Sequence, residues 1–376
     1  MFFQKIKNLL KFYFPNFSRK LIEYRDSNLF NRITKNFFYI NLKKNIHGKK
    51  IVNKERGFVL DLSIDNFVSY FIRPKKTNNI TIDSQKYNNS DTAIIIQGGL
   101  NGVLDFVSES IDLYLKLFSD SKIILSTWKD DLTNNFLSKY QNKIHIIANN
   151  KPAKIFHNTD LQIISTYSAI EYAKNNNFKY CLKTRTDCRL YNSNSIKYFK
   201  NLLRIFPIDE KYKNLNSRTI SCSNDTRKFR VYGLSDILLF GEIENMLKYF
   251  YKEPFELSLN KNFGNYPCII NDTAVINEIF LCARYLKNSD INLEWTLSDW
   301  WKICGEIFCV VDPHSIDFFW YKYHWKYEQR FIQNYTSDNK QALTFSDWLN
   351  LHIDKDFIFD ETNKEVWKIK DGIIAK

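Results

Sequence analysis

At 376 residues the chain is long enough for one large domain with additions or for two smaller ones. Its 44% hydrophobic and 25% charged residues are a globular composition, not a disordered one, and no run of about 18 apolar residues offers a membrane span. The net charge of +13 favours anionic partners such as nucleic acid, anionic lipid or a phosphorylated substrate, without choosing among them, while the seven cysteines form no CxxC pair and no zinc-finger spacing with histidine.

That cysteine usage indicates neither a structural zinc site nor a secreted disulfide framework, so reduced, mostly buried thiols in a cytoplasm are the expectation. The opening stretch "MFFQKIKNLLKFYFPNF" is basic and apolar. Gln4 and Asn8 interrupt it and no small-residue cleavage site follows, which argues against a secretion signal. Phe2, Phe3, Ile6, Leu9, Leu10 and Tyr13 can share one helical face flanked by Lys5, Lys7 and Lys11. Such a helix either rests on an anionic membrane surface or packs on the body of the protein. Residues 75–91 are polar and read as a surface connection. The expected organisation is an accessory segment over 1–90, a main domain over 91–325 and an extension over 326–376.

From residue 92 the pattern becomes regular. "TAIIIQ" is a continuous apolar strand, "GGLNG" turns, and apolar positions 103, 104, 107, 111, 114, 115 and 118 fall at helical spacing. "SKIILSTW" and "KIHIIANN" are further strands. "LQIISTYSAIEYAKNNN" is an amphipathic helix that feeds the strand "KYCLKTRTD". "LSDILLFGEIENMLKYF" reads as strand then helix, and "NDTAVINEIFLCARYL" as a helix capped by Asp272 or Thr273. Strands alternating with helices predict an α/β fold with a mostly parallel sheet and right-handed crossovers, whose ligands lie beyond the carboxyl ends of the strands.

Several candidate site residues sit at those ends. Lys183, Arg185, Asp187 and Arg189 occupy alternate positions, so an extended chain carries them on one face. Asp187 can hold a metal or a ribose hydroxyl while the three cations balance phosphate; the alternative is a structural salt-bridge cluster. Gln97, Gly98 and Gly99 open a turn whose bare backbone admits a phosphate at a helix N-terminus, or a turn with no ligand. Ser126, Thr127 and Trp128 can bond a ribose and stack a base, or cap and pack. Glu278 lies off its helix's apolar stripe, where it is either a general base or a solvated side chain. Asp236 holds sugar hydroxyls or caps a strand. His314 and His324, among aromatics, close a metal site or bond a backbone carbonyl.

The ordered segments "AIIIQGGL", "IILSTW", "DLQIISTYSAIEYA", "YCLKTRTD", "SDILLFG" and "NEIFLCARYL" resemble the WavE family of lipopolysaccharide-synthesis proteins over roughly residues 92–300. The resemblance implies a GT-A-like, Rossmann-like glycosyltransferase. It would move a sugar from a nucleotide-sugar donor to a lipopolysaccharide core or capsule glycan, lipid-linked or free. "KTRTD" stands where such enzymes carry Asp-x-Asp, with Arg185 in the first acidic position and Asp187 as the remaining ligand for Mg²⁺ or Mn²⁺. By the same resemblance Glu278 is the acceptor base. The expected location is the cytoplasm, peripheral at the inner face of the inner membrane. A capsular sugar-phosphate transferase is the enzymatic alternative. A nucleic-acid-binding protein is disfavoured, because the basic residues are dispersed and no stacking-aromatic signature accompanies them.

Overall fold

The computed structural model describes residues 50–53, 58–61, 73–74, 76–79, 88–152, 158–252, 269–271, 274–322, 342–360, 368–370 and 373–375. The helix expected over 1–20 and His324 lie outside the described residues. The chain divides into two units, 1–72 and 73–376. In the first, β1 (Lys50–Asn53) and β2 (Phe58–Asp61) form an antiparallel hairpin.

In the second, β3 (Thr92–Gln97) is buried along its whole length, as a continuous Ile run with cover on both faces should be. It leads through the glycine turn into α1 (Leu104–Leu117), whose Val107, Ile111 and Tyr114 face the core. β4 (Lys122–Trp128), α2 (Asn134–Tyr140), β5 (His145–Asn149) and α3 (Asn158–Asn175) follow, and then β6 (Tyr180–Arg185). α3 packs over β3 and β4. A short β7 (Cys188–Leu190) and α4 (Ser195–Ile205) lead to β8 (Thr219–Cys222), β9 (Leu239–Glu242) and α5 (Ile243–Tyr249). Beyond these come β10 (Ile269–Asn271), β11 (Ala274–Val275), α6 (Asn277–Lys287), α7 (Leu297–Ile307), β12 (Phe308–Val311), β13 (Phe318–Trp320), α8 (Phe345–Ile353), β14 (Lys368–Lys370) and β15 (Ile373–Ala375).

Seven strands form one sheet in the order β12-β8-β9-β6-β3-β4-β5. β3, β4, β5 and β6 are mutually parallel, as are β8 and β12, while β9 pairs antiparallel with both β6 and β8. β9 alone therefore runs against the other six. The expected α/β class with a mostly parallel sheet is the one observed, and the carboxyl ends of β3, β4 and β6 reach the same rim.

The helix carrying Glu278 begins later than its sequence suggests. α6 starts at Asn277 with Ile276 at its N-cap and no side-chain cap bond. Ala274–Val275 instead pairs with β10, so backbone pairing replaces the Asp272 or Thr273 cap. α7 and α8 are capped by side chains: Thr296 Oγ1 accepts from Asp299 N at 3.1 Å, and Thr344 with Asp347 forms a capping box. One apolar core joins Ile94, Leu125, Leu182, Phe240 and Trp300 with Trp348 of α8. The six cysteines among the described residues are free and buried. No helix among the described residues is long and apolar enough to cross a membrane.

Candidate active site

The turn after β3 is shaped by a glycine that no other residue could replace without strain. Gly98 has φ +134°, and a Cβ there would lie 2.7 Å from Thr186 Oγ1. Its N–H donates to Ser126 O at 3.1 Å, and Thr186 N–H donates to Gln97 O at 3.0 Å, tying the turn to β4 and to the end of β6. The buried Asp131 carboxylate holds the next residues by accepting from Leu100 N at 2.9 Å and from Asn101 Nδ2 at 3.2 Å. Asp131 escaped the sequence reading. Its signal was the acidic pair in "WKDDL" directly after a strand end.

The neighbouring strand-end groups divide between rim and interior. Gln97 lines the rim but sends Nε2 to Ser165 Oγ at 2.9 Å. Ser126 is buried; its hydroxyl donates to Ser165 O at 2.6 Å and accepts from Asn149 Nδ2 at 2.8 Å. Thr127 is fully buried too. Trp128 reaches the rim beside Gly99.

The four alternating charges separate in the same way. Lys183 is wholly buried and donates to Asp236 O, with Phe250 beneath its ammonium at 5.5 Å. Burial pulls its titration down to about 8 against the opposing pull of Asp236. Asp236 is itself buried and accepts from Gln162 Nε2 at 2.5 Å. Arg185 stands at the rim and grips Asp187 with two parallel bonds, Nε to Oδ1 at 2.9 Å and Nη2 to Oδ2 at 3.1 Å. Trp320 Nε1 donates to Asp187 Oδ2 at 3.0 Å. Burial disfavours charge on both groups, but their mutual attraction prevails: Asp187 is held below the usual carboxylate range and Arg185 above its ordinary value. Arg189 turns elsewhere, donating to Ser110 Oγ at 2.8 Å, Phe106 O at 2.8 Å and Tyr191 OH at 3.1 Å.

A cleft of about 780 Å³ brings the rim groups together. Gly98, Gly99 and Trp128 lie along it, as do Arg185, Asp187 and Trp320, and the pair Asp225 and Glu278. Glu278 hydrogen-bonds Asp225, and burial followed by the Asp225 charge pushes its carboxyl up to about 8, with Arg230 opposing. Asp225 has left-handed backbone, φ 68°, and is ion-paired by Arg227 and, at 3.8 Å, by Arg230. Asp225 was missed by the sequence reading; only its place in the charged run "NDTRKFR" marked it. The site thus gathers Gln97, Gly98, Gly99, Trp128, Arg185, Asp187 and Glu278, while Ser126, Thr127, Lys183 and Asp236 lie behind it and Arg189 lines a separate cleft.

The divalent ion implied by the family resemblance finds no ready-made cage. Asp187 Oδ2 accepts from Arg185 and Trp320 and Oδ1 from Arg185 Nε, and among the described residues no three His, Cys, Asp or Glu side chains gather as metal ligands. The donor set around Asp187 suits the Arg185 guanidinium, so a divalent ion would rest mainly on the phosphates of a bound donor with Asp187 as its protein ligand. His314 lies on a 3₁₀ turn, Pro313–Ile316, and is not among the residues that line the cleft.

A family model described as WavE lipopolysaccharide synthesis matches residues 93–352. No curated protein matches the chain. Solved structures similar to it include a glycosyltransferase involved in glycosylation of the major capsid of PBCV-1, with 10% identity, 46% of this chain and 76% of that chain covered, and a TM-score of 0.26. Core-mannan synthase A from Aspergillus fumigatus, in a Mn/GDP form, has 11% identity, 72% and 87% coverage, and a TM-score of 0.28. Overlaps this loose carry no argument about the chemistry of this chain.

Proposed function

Because the chain belongs to the WavE family of lipopolysaccharide-synthesis glycosyltransferases, we propose that its strand-end cleft takes a nucleotide-sugar donor and passes the sugar to a hydroxyl of a bacterial surface glycan. One observation carries this reading: a single cleft holds a cation anchored by a carboxylate and, with it, a carboxyl pair able to take a proton.

In this reading the nucleoside lies along Gly98 and Gly99, where bare backbone allows close approach, with the 5% exposed Trp128 backing the turn. The diphosphate meets Arg185, whose guanidinium Asp187 and Trp320 hold in place. The acceptor oxygen attacks the anomeric carbon. The bond from that carbon to the phosphate oxygen breaks, and its electron pair leaves with the diphosphate. Arg185 stabilises the charge that develops there. The acceptor's proton passes to Glu278, which Asp225 orients. No step passes through a metal. A lipid-linked acceptor places the reaction at an anionic membrane face, which the basic, apolar residues 1–17 suit.

Calorimetric titration with UDP, GDP, CMP and a single-stranded oligonucleotide tests the reading. One nucleotide should bind the full chain in EDTA, and Arg185→Ala should weaken it by about tenfold or more, the loss of a charge-assisted contact. Unchanged affinity in Arg185→Ala, or binding of the oligonucleotide alone, would overturn the assignment.

A further inference from the structure

A second cleft, of about 620 Å³, adjoins the first, and Val103 and Tyr321 line both. It belongs to no step described so far. Its floor is a layered stack: the Arg189 guanidinium lies 4.2 Å from the Phe106 ring centre, and Phe106 stacks on Tyr321 at 4.9 Å with 23° between the rings. Tyr321 remains 49% exposed, so one aromatic ring faces solvent at the junction of the two clefts. Backbone geometry fixes that junction. β13 pairs with β7, setting Trp320 opposite Cys188, and Tyr321 N–H donates to Asp187 O at 2.9 Å. Trp320 thus lines only the first cleft and Phe319 only the second, as successive residues of a strand must, while Tyr321, just past the strand's end, borders both.

The polar groups decide what such a surface takes. Arg189 spends its guanidinium on Ser110, Phe106 O and Tyr191, and Arg73 is ion-paired to Asp317 at 2.7 Å. The carboxylates at the opening, Asp105 and Glu109, stand on the first turns of α1 and would repel a phosphate. A buried acyl chain would strip solvent from those same charges. A pyranose ring suits both features: its C–H face lies on the aromatic surface, and its hydroxyls donate to carboxylates.

We infer that this second cleft is the subsite for a sugar ring of the acceptor glycan, seated on the exposed face of Tyr321, which Phe106 and Arg189 back, and held through hydroxyls by Asp105. This rests on the glycosyltransferase reading of the first cleft. Val103 and Tyr321 line both clefts, so a glycan seated in the second borders the first.

The test titrates the full chain with core oligosaccharide released from lipopolysaccharide by mild acid, read by saturation-transfer NMR, and in parallel with UDP, GDP and CMP by calorimetry. Tyr321→Ala should weaken oligosaccharide binding about tenfold and Tyr321→Phe by less than about threefold, since the ring is kept. Asp105→Asn, an exposed change without consequence for the core, should weaken it by about threefold. Oligosaccharide affinity unchanged in Tyr321→Ala and Asp105→Asn overturns the subsite, as does a loss in Tyr321→Ala of nucleotide binding alone, which would make the ring a base-stacking platform. Nucleotide binding without oligosaccharide binding in the unaltered chain also overturns the subsite and leaves the donor reading standing. Oligosaccharide binding without any nucleotide binding does the reverse.

Discussion

Half-buried at the cleft, Glu278 has its carboxyl pushed up to about 8 by loss of solvent and by the like charge of Asp225, which favours the protonated form at neutral pH. A base must be ionised to accept a proton, so transfer should climb as pH rises through about 8 and level off above it. Glu278→Gln should lower kcat by roughly 10²–10⁴ and flatten that limb in initial-rate profiles. The same group leaves a mark on stability. Its folded titration lies above its unfolded one, from 4.5 to about 8, so the folded state binds the extra proton and loses stability as pH rises across that window. Glu278→Gln, which mimics the protonated form, should therefore gain in thermal midpoint over the unaltered chain at about pH 9 relative to about pH 5. A constant difference across pH would show that Glu278 is not proton-loaded in the fold. Asp187 offers the opposite case at the same rim: Arg185 holds it ionised, so it orients a cation and leaves proton transfer to the other carboxyl pair.

Within the β3–turn–α1 element, two adjacent glycines face different constraints. A Cβ at Gly98 would meet Thr186 Oγ1 at 2.7 Å on backbone at φ +134°, so space and conformation both forbid it. At Gly99 the nearest atom, Asp131 Oδ2, is 3.1 Å away, and a carboxylate can give by a few tenths of an ångström. Gly98→Ala should cost about 1–3 kcal/mol in thermal or denaturant unfolding and should also weaken nucleotide binding, because the turn can no longer lie against Thr186. Gly99→Ala should cost clearly less. Equal melting of the two variants would mean that the turn relaxes freely and that its shape is not set by the β6 end. Both glycines stood out in the sequence as part of a glycine cluster after an apolar run. Which of the two is indispensable depended on Thr186, a residue of another strand's end.

Across the whole second unit, the stretch 342–360 closes the edge of the sheet at β12. Trp348 donates from Nε1 to Phe308 O at 2.7 Å and Cys304 O at 3.2 Å, and Arg218 Nη1 donates to Gly305 O at 2.8 Å. Gly305 lets α8 approach α7 so closely that a Cβ there would run into the Leu351 carbonyl. Gly305→Ala should cost about 1–3 kcal/mol by overpacking, several degrees in thermal midpoint; an unchanged midpoint would mean that α8 adds little to the fold. The sequence by itself determined four strands and two long helices between 92 and 185, because continuous Ile runs and amphipathic spacing are properties of neighbouring residues, while the short helix Asn134–Tyr140 and the strand Cys188–Leu190 were not read from it. It likewise marked Gly98, Arg185 and Asp187 as rim candidates by their place at strand ends, and Glu278 by its place off the apolar stripe of its helix. Only the tertiary structure decided that β9 runs backwards, that Lys183 is sealed against Asp236 and Phe250, and that Arg189 supports a different cleft. The alternation of charges places Lys183, Arg185 and Asp187 on one strand face but says nothing about what packs over each. Asp225 and Glu278 meet for the same reason: a shared proton depends on distance through space, and the sheet brings together segments that local periodicity cannot relate.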